Sequence, residues 1–386
     1  MRPVLLFLKR KKKSYIRDGK ERRCERTIFH FLGGSQLKDP FRKFFEYLHK
    51  HFFYFILASY LFGGIFPGLG LTIRDINFGT FTFLDGGKIK VSLSLVLLSL
   101  LLLNAGLGIK TSELFHLLKK PILLFVGLFA NLSIPILFTF LVSFLMIVWH
   151  NPDEVQNILV GLALIASMPI AASSTAWSQK SNGNLALSLG LVVFSTILSP
   201  VTTPIGLHSI GFITTGDYSE DLHEIAGQGV GAFLFLSVLL PTIVGIGLHF
   251  LLPKDSAEKI KKPIKEINLL NLLILNYSNA SVVLPQVFTN PDWDFLFVIL
   301  LITGGLCSFS FFLGFVIARV FKTSDSEKSS LVFGLGMNNN GTGLVLASLS
   351  LADHPSVMLP IIFYNLVQHI VASYADNRLS GDRKEL

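Results

Sequence analysis

The sequence predicts an all-α membrane protein of ten transmembrane helices, arranged as two inverted five-helix repeats. Three observations lead there: the composition, the spacing of apolar runs, and the sign of the charges between them. Of 386 residues, 51% are hydrophobic, only 15% are charged, and 35 are phenylalanines, with a mean hydropathy of +0.59. A soluble chain of this size carries about a quarter charged residues, so a soluble fold is excluded. Two cysteines, Cys24 and Cys307, are too few for a disulfide framework or a cysteine metal site.

Crossing about 30 Å of hydrocarbon takes about 20 helical residues. Ten stretches qualify: 52–73, 91–109, 121–150, 158–183, 184–210, 228–252, 272–290, 295–321, 331–351 and 359–379. The charges between them give an independent check. Residues 1–50 hold fifteen Lys and Arg against five Asp and Glu, and Lys9 to Lys13 form an unbroken basic run. If this tail is cytoplasmic, the inner connections are 110–120, the turn at Lys180, 253–271 and 319–330, and each is net positive. Of the outer connections, 151–157, 211–227, 291–294 and 352–358 are acidic with no Lys or Arg, and only 74–90 carries basic residues. Positive charge marks the cytoplasmic side, which places both termini in the cytoplasm and the protein in the cell (inner or plasma) membrane. The tail reads as an anchor against anionic lipid, since no nucleic-acid-binding fold follows it.

The resulting division is a basic cytoplasmic tail (1–50), a first repeat (51–210), an outer connection (211–227), a second repeat (228–379) and a short cytoplasmic end (380–386). Each repeat has an odd number of spans, so the two enter the membrane in opposite senses. Outside the tail no segment is long enough for a soluble domain, so activity belongs within the membrane. The first nine spans contain no Asp or Glu, and Asp376 lies at the cytoplasmic end of the tenth. Carboxylate proton relays and acidic channel rings therefore have no material. Nor is there an acid pair, metal cluster or activated nucleophile for an enzyme.

Polar residues concentrate in the fourth span and the ninth. In the fourth, Pro169 is followed by Ser173, Ser174, Thr175 and Ser178; in the ninth, Gly334, Gly336, Gly341 and Gly343 flank Asn338, Asn339 and Asn340. Three adjacent asparagines point all around a helix, so a break there avoids turning an amide into lipid. Freed carbonyls and half-helix ends bind ions and anions, and paired breaks in matching positions point to a transporter site. Asn131 in the third span, and Asn276, Ser278, Asn279 and Ser281 in the seventh, suit helix packing or ligand contact equally. His369 and Gln368 lie mid-way along the tenth; His369 reads as a histidine bonded to a nearby carbonyl, with proton coupling as the other role open to it. Lys180 reads as a topology marker.

In these residues the chain resembles the bile acid:sodium symporter family over about residues 55–375. The resemblance runs through Gly106 and Gly108 leading to Lys119, Lys120 and Pro121, through Pro169 and Ser174, Gly183, Asn184 and Ser188, Ser199, Pro200, Thr203 and Pro204, and through Gly336, Met337, Asn338 and Asn339. It implies broken, crossing fourth and ninth helices and sodium-coupled uptake of an organic anion by alternating access. Helices 3, 4, 5, 8, 9 and 10 would form a core that rocks against a panel of helices 1, 2, 6 and 7. It also implies two sodium sites: Ser174, Thr175 and Ser188 for the first, and Asn131, Leu335, Met337 and Asn338 for the second, with Asn339 and Asn340 at the substrate. No other cofactor is implied. The chain departs from the family pattern where Gly334 replaces a glutamate that serves both sites and where Val192 replaces a hydroxyl. Loss of that charge points to one sodium ion. A sodium-independent or proton-coupled carrier, and a receptor signalling through the tail, are the alternatives. Substrate identity and oligomeric state are not legible.

Overall fold

The computed structural model describes residues 39–82, 88–108, 121–228, 230–251 and 254–381. Most of the basic tail and the Lys119–Lys120 pair lie outside the described residues. The elements are helices α1 (Asp39–Lys50), α2 (Phe52–Ile65) and α3 (Pro67–Asp75), strands β1 (Asn77–Thr82) and β2 (Lys88–Ser92), then α4 (Leu93–Leu107), α5 (Pro121–Leu145), α6 (Pro152–Ser167), α7 (Ser173–Lys180) and α8 (Leu185–Gly211). There follow α9 (Asp217–Gln228), α10 (Val230–Leu234), joined by a π-helical turn to α11 (Leu240–Leu251), α12 (Lys254–Thr289), α13 (Trp293–Val320), α14 (Asp325–Gly336), α15 (Asn340–Ser350) and α16 (Met358–Gly381).

The protein is an all-α membrane protein by this content. Six helices are long and apolar enough to cross a bilayer, and a seventh span results if α2 and α3, bent by 92° at Phe66, count as one. The remaining apolar stretches are short or interrupted: α4 has 15 residues, and the fourth and ninth stretches are each divided into two helices. Three features are absent from the sequence expectation. A β-hairpin occupies the connection after α3, an amphipathic helix (α9) fills 217–228, and α12 runs unbroken from the basic connection at Lys254 into the apolar stretch.

Local chemistry sets the helix starts. Ser92, Asn151, Asn184, Asp292 and Asn339 each accept a backbone N–H of the first turn through their side chains, and Ser324 with Glu327 forms a reciprocal capping box. Packing then decides position. The interrupted helices are innermost: residues 157–171 and 329–338 are buried throughout. The outer helices turn phenylalanines outward, as Phe125 and Phe129 of α5 and Phe297 of α13 do, which suits a lipid solvent.

Small residues let helices meet backbone to backbone. On α4 and α11, a Cβ at Gly106 would stand 2.2 Å from the Thr242 carbonyl oxygen, and one at Gly245 would stand 2.1 Å from that of Leu103. Membrane helices associate through such contacts. Gly245→Ala should therefore lower the thermal midpoint in detergent by several degrees, an overpacking cost of about 1–3 kcal/mol. Gly247→Ala, with open space at its Cβ, should leave the midpoint unchanged; equal midpoints for the two variants would contradict this packing.

Candidate functional site

The α6 helix ends at Ser167 because Pro169 lacks an N–H and pushes Met168 into extended geometry (φ −80°, ψ 147°). The α14 helix ends at Gly336, and Met337 is likewise extended (φ −123°, ψ 106°). These two breaks meet. Ile170 and Asn338 form an antiparallel bridge in which Ala171 N donates to Met337 O and Asn339 N to Pro169 O, both at 2.9 Å. Each break thus supplies the hydrogen bonds that the other lost on leaving the helix, which is what non-helical backbone at membrane depth requires.

Neighbouring side chains satisfy the other freed groups. Thr203 Oγ1 donates to Ser167 O at 2.6 Å, Ile170 N donates to Ser195 Oγ at 3.1 Å, and Tyr364 OH donates to Gly336 O at 3.3 Å. Asn338 is hydrogen-bonded at both ends. Its Nδ2 donates to Ile165 O at 3.0 Å, and its Oδ1 accepts from Asn131 Nδ2 at 3.1 Å. A small cavity of about 30 Å³ lies beside this crossing, touching Asn131, Ser167, Met168 and Ser195.

The expected ligands separate into two groups. Ser174, Thr175 and Ser188 have buried hydroxyl oxygens with no hydrogen-bond partner. Ser174 lies in the first turn of α7 and Ser188 in the first turn of α8, and both side chains are buried. An unpaired buried hydroxyl costs about 1–3 kcal/mol. Lone pairs on neutral hydroxyls are a donor type that a hard monovalent cation accepts, and the Ser167 and Thr342 hydroxyls are unpaired in the same way. In the second group the polar atoms bond one another: Asn131 Nδ2 donates to Asn338 Oδ1, and the Met337 carbonyl accepts Ala171 N. Leu335 is buried within α14.

At position 334 a methyl group would stand 2.9 Å from Leu191 Cδ1, and one at Gly127 would stand 2.6 Å from Leu191 Cδ2. Leu191, fully buried, fills the space between α5 and α14. Val192 joins the same apolar cluster with Leu187, and its carbonyl accepts the hydroxyls of Ser195 and Thr196. Leu191 carbon thus crowds the space beside Gly334.

Asn339 is the N-cap of α15, its Oδ1 accepting from Thr342 N at 3.3 Å. Asn340 is buried with both amide atoms unpartnered, as is the Thr342 hydroxyl. The N-terminus of α15 thus carries unpaired polar groups beside the crossing, with the positive end of a half-helix dipole.

Several roles differ from those expected. Lys180 pairs with Asp376 at 3.0 Å, and Ser181 Oγ donates to the same carboxylate, so this lysine ties α7 to α16 as well as marking a turn. His369, half-buried, has no hydrogen-bond partner among the described residues, so no carbonyl holds it. The sequence also hid a serine ladder from α7 to α14, in which Ser178 and Ser330 share a hydrogen bond of 3.0 Å and Ser330 reaches Asn184 O at 2.8 Å. Serine-rich text at 324–330 was its only signal. Asn276 and Tyr60 join the tenth-span residues Asn365 and Gln368 in one network: Asn365 Nδ2 donates to Tyr60 OH at 2.7 Å and Gln368 Nε2 to Asn365 Oδ1 at 3.0 Å.

On the face holding the acidic connections, a cavity of about 260 Å³ is bordered by Asp153, Glu154, Asn157, Gln286, Asn290 and Asp292. Glu154 accepts from Trp149 Nε1 at 2.7 Å and Asn151 Nδ2 at 2.6 Å. Nearby, burial pushes the Asp221 carboxyl above the usual carboxylate range, while His354 at 3.6 Å pulls it back.

Residues 95–289 match the family model described as the Sodium Bile acid symporter family. An uncharacterized sodium-dependent transporter, YocS, of Bacillus subtilis is 23% identical over 282 residues, 72% of this chain and 81% of that protein. Sodium/bile acid cotransporter 7 of Xenopus tropicalis is 25% identical over 304 residues, 75% of this chain and 83% of the relative. A probable sodium/metabolite cotransporter, BASS2, of rice chloroplasts is 24% identical over 274 residues, 70% of this chain and 60% of the relative.

Proposed function

The chain belongs to the sodium bile acid symporter family, a family of transporters and not of enzymes, and on that premise we propose that it carries an organic anion inward with one sodium ion by alternating access. The observation that carries this reading is the contrast between three unpaired buried hydroxyls, Ser174, Thr175 and Ser188, and the Asn338 side chain, whose oxygen accepts from Asn131 Nδ2 and whose nitrogen donates to Ile165 O. Sodium sits among the hydroxyls. The anion, a small carboxylate or a bile-acid-like molecule, meets Asn339, Asn340 and the N-terminus of α15.

We read the membrane domain as ten segments in two inverted repeats, 51–210 and 228–379. Six long helices, the bent pair α2–α3, the short α4 and the two interrupted helices, α6–α7 and α14–α15, together make that number. The reciprocal bond pair between Ala171 and Met337 and between Asn339 and Pro169 is what two equivalent breaks, one per repeat, would form. Both termini are then cytoplasmic, with the tail at anionic lipid.

The test is uptake of labelled anions, bile acids and short carboxylates together, into proteoliposomes with and without an inward sodium gradient. Sodium-stimulated uptake supports the reading, and uptake indifferent to sodium overturns it. Gly334→Glu provides a second check. Because Leu191 occupies the adjacent space, the single variant should lose most uptake; Gly334→Glu combined with Leu191→Ala should recover it and steepen the sodium dependence. Full activity in the single variant would show that Leu191 does not close the second site.

A further inference from the structure

On the acidic face, the connections 151–157, 211–227, 291–294 and 352–358 hold nine carboxylates and no Lys or Arg. All the Lys and Arg proposed to lie on that side, Arg74, Lys88 and Lys90, belong to the single stretch 74–90, which takes in the end of α3 and the hairpin after it. Arg74, in the last turn of α3 and half-buried, reaches across the molecule to α15, where its Nη2 donates to Ser348 O at 2.6 Å. Ser348 lies in the last turn of α15, where carbonyls have no partner within the helix. Among the described residues no carboxylate pairs with Arg74.

This contact has two consequences. The guanidinium gives one of its five donors to a neutral carbonyl and is ion-paired to no carboxylate among the described residues, so on a face dominated by carboxylates it keeps donors for an arriving anion. The helix it holds is the one whose other end carries Asn339 and Asn340. An 11-residue helix is about 16 Å long, so the Arg74 bond ties to α3 the far end of the half-helix whose N-terminus lies at the candidate site.

We propose that Arg74 is the charge-recognition residue of the outer face, and that a carboxylate or sulfonate arriving there takes its guanidinium from the Ser348 carbonyl and so releases α15 from α3. The proposal rests on the anion-carrier reading above. Its chemistry is an exchange of acceptors: a carboxylate or sulfonate receives two parallel N–H bonds with charge assistance, where the carbonyl receives one without it. A neutral analogue cannot make the exchange. Arg74 is a binding and positioning residue that never touches the sodium.

The test uses the full chain in proteoliposomes, with labelled pyruvate and labelled taurocholate as separate arms and unlabelled pyruvamide as neutral competitor. Loss of a charge-assisted bond corresponds to about a tenfold change or more. Arg74→Gln should raise the KM of the transported anion by about tenfold or more with Vmax and sodium activation little changed, and should erase the preference for pyruvate or taurocholate over pyruvamide. Arg74→Lys, which keeps the charge without the fork, should raise KM by about threefold; it decides the matter if Arg74→Gln does not reconstitute. An unchanged KM in both variants, or a fall in Vmax alone, would make Arg74 a structural clamp and overturn the proposal while leaving the carrier reading intact. Failure of the unmodified protein to take up either anion refutes the carrier reading and this proposal with it.

Discussion

Ser174→Ala should raise the sodium concentration for half-maximal uptake by about tenfold or more, the equivalent of about 1.5–3 kcal/mol for an interaction with a charged group. Ser188→Ala should do the same, and the double variant should abolish sodium stimulation. The reason is that these hydroxyls are buried and have no partner in the protein, so their lone pairs are committed to no competing bond. Asn131→Ala should have a smaller effect on sodium, because at the crossing the Asn338 Oδ1 already accepts from Asn131 and the Met337 carbonyl from Ala171 N, whereas the hydroxyls of Ser174, Thr175 and Ser188 have no partner. In the unmodified protein the sodium dependence should follow a Hill coefficient of about 1. Measurement of initial uptake rates against sodium at fixed substrate checks all four statements. A coefficient approaching 2, or a larger sodium effect from Asn131 than from Ser174, would place a second ion at the crossing and refute the one-ion scheme.

Asn338→Leu should reduce uptake at least about a hundredfold while leaving membrane insertion intact. The substitution strips the donor from Ile165 O and the acceptor from Asn131 Nδ2, and each buried polar group left unpaired costs about 1–3 kcal/mol. It also places a branched side chain at the one bridge between the two breaks. Asn339→Leu should be milder. Its loss is one cap bond to Thr342 N, worth about 1 kcal/mol, together with a polar group at the proposed anion site. Uptake normalised to protein recovered by size-exclusion chromatography separates these effects from expression. Normal uptake by a well-folded Asn338→Leu protein would remove the crossing from the mechanism.

Much of this was legible in the text of the chain. Pro169 and the Asn338 to Asn340 run marked both breaks, because a missing N–H and three consecutive amides are local incompatibilities with a lipid-facing helix. The membrane class followed from composition and spacing. Ser174, Thr175 and Ser188 could be singled out because hydroxyls are few and clustered in an apolar setting. The family resemblance added which of them belong together. Hydropathy also overextended its reach: it treated 52–73 as one straight span, where the chain turns by 92° at Phe66, and it left 217–228 as a connection, where an acidic helix forms.

By itself the sequence determined the class of protein, the apolar segments and the places where helices cannot continue, because burial in lipid and hydrogen-bond loss are decided residue by residue. Only the tertiary structure decided which polar groups are spoken for. That Asn131 Nδ2 bonds Asn338 while the Ser174 hydroxyl has no partner, that Leu191 fills the space beside Gly334, and that Arg74 holds Ser348 are relations between residues 143 to 274 positions apart, save for the lone Ser174. Such pairs are set by close packing of whole helices, where a shift of one helical turn exchanges every partner, and no local pattern of residue types records that choice.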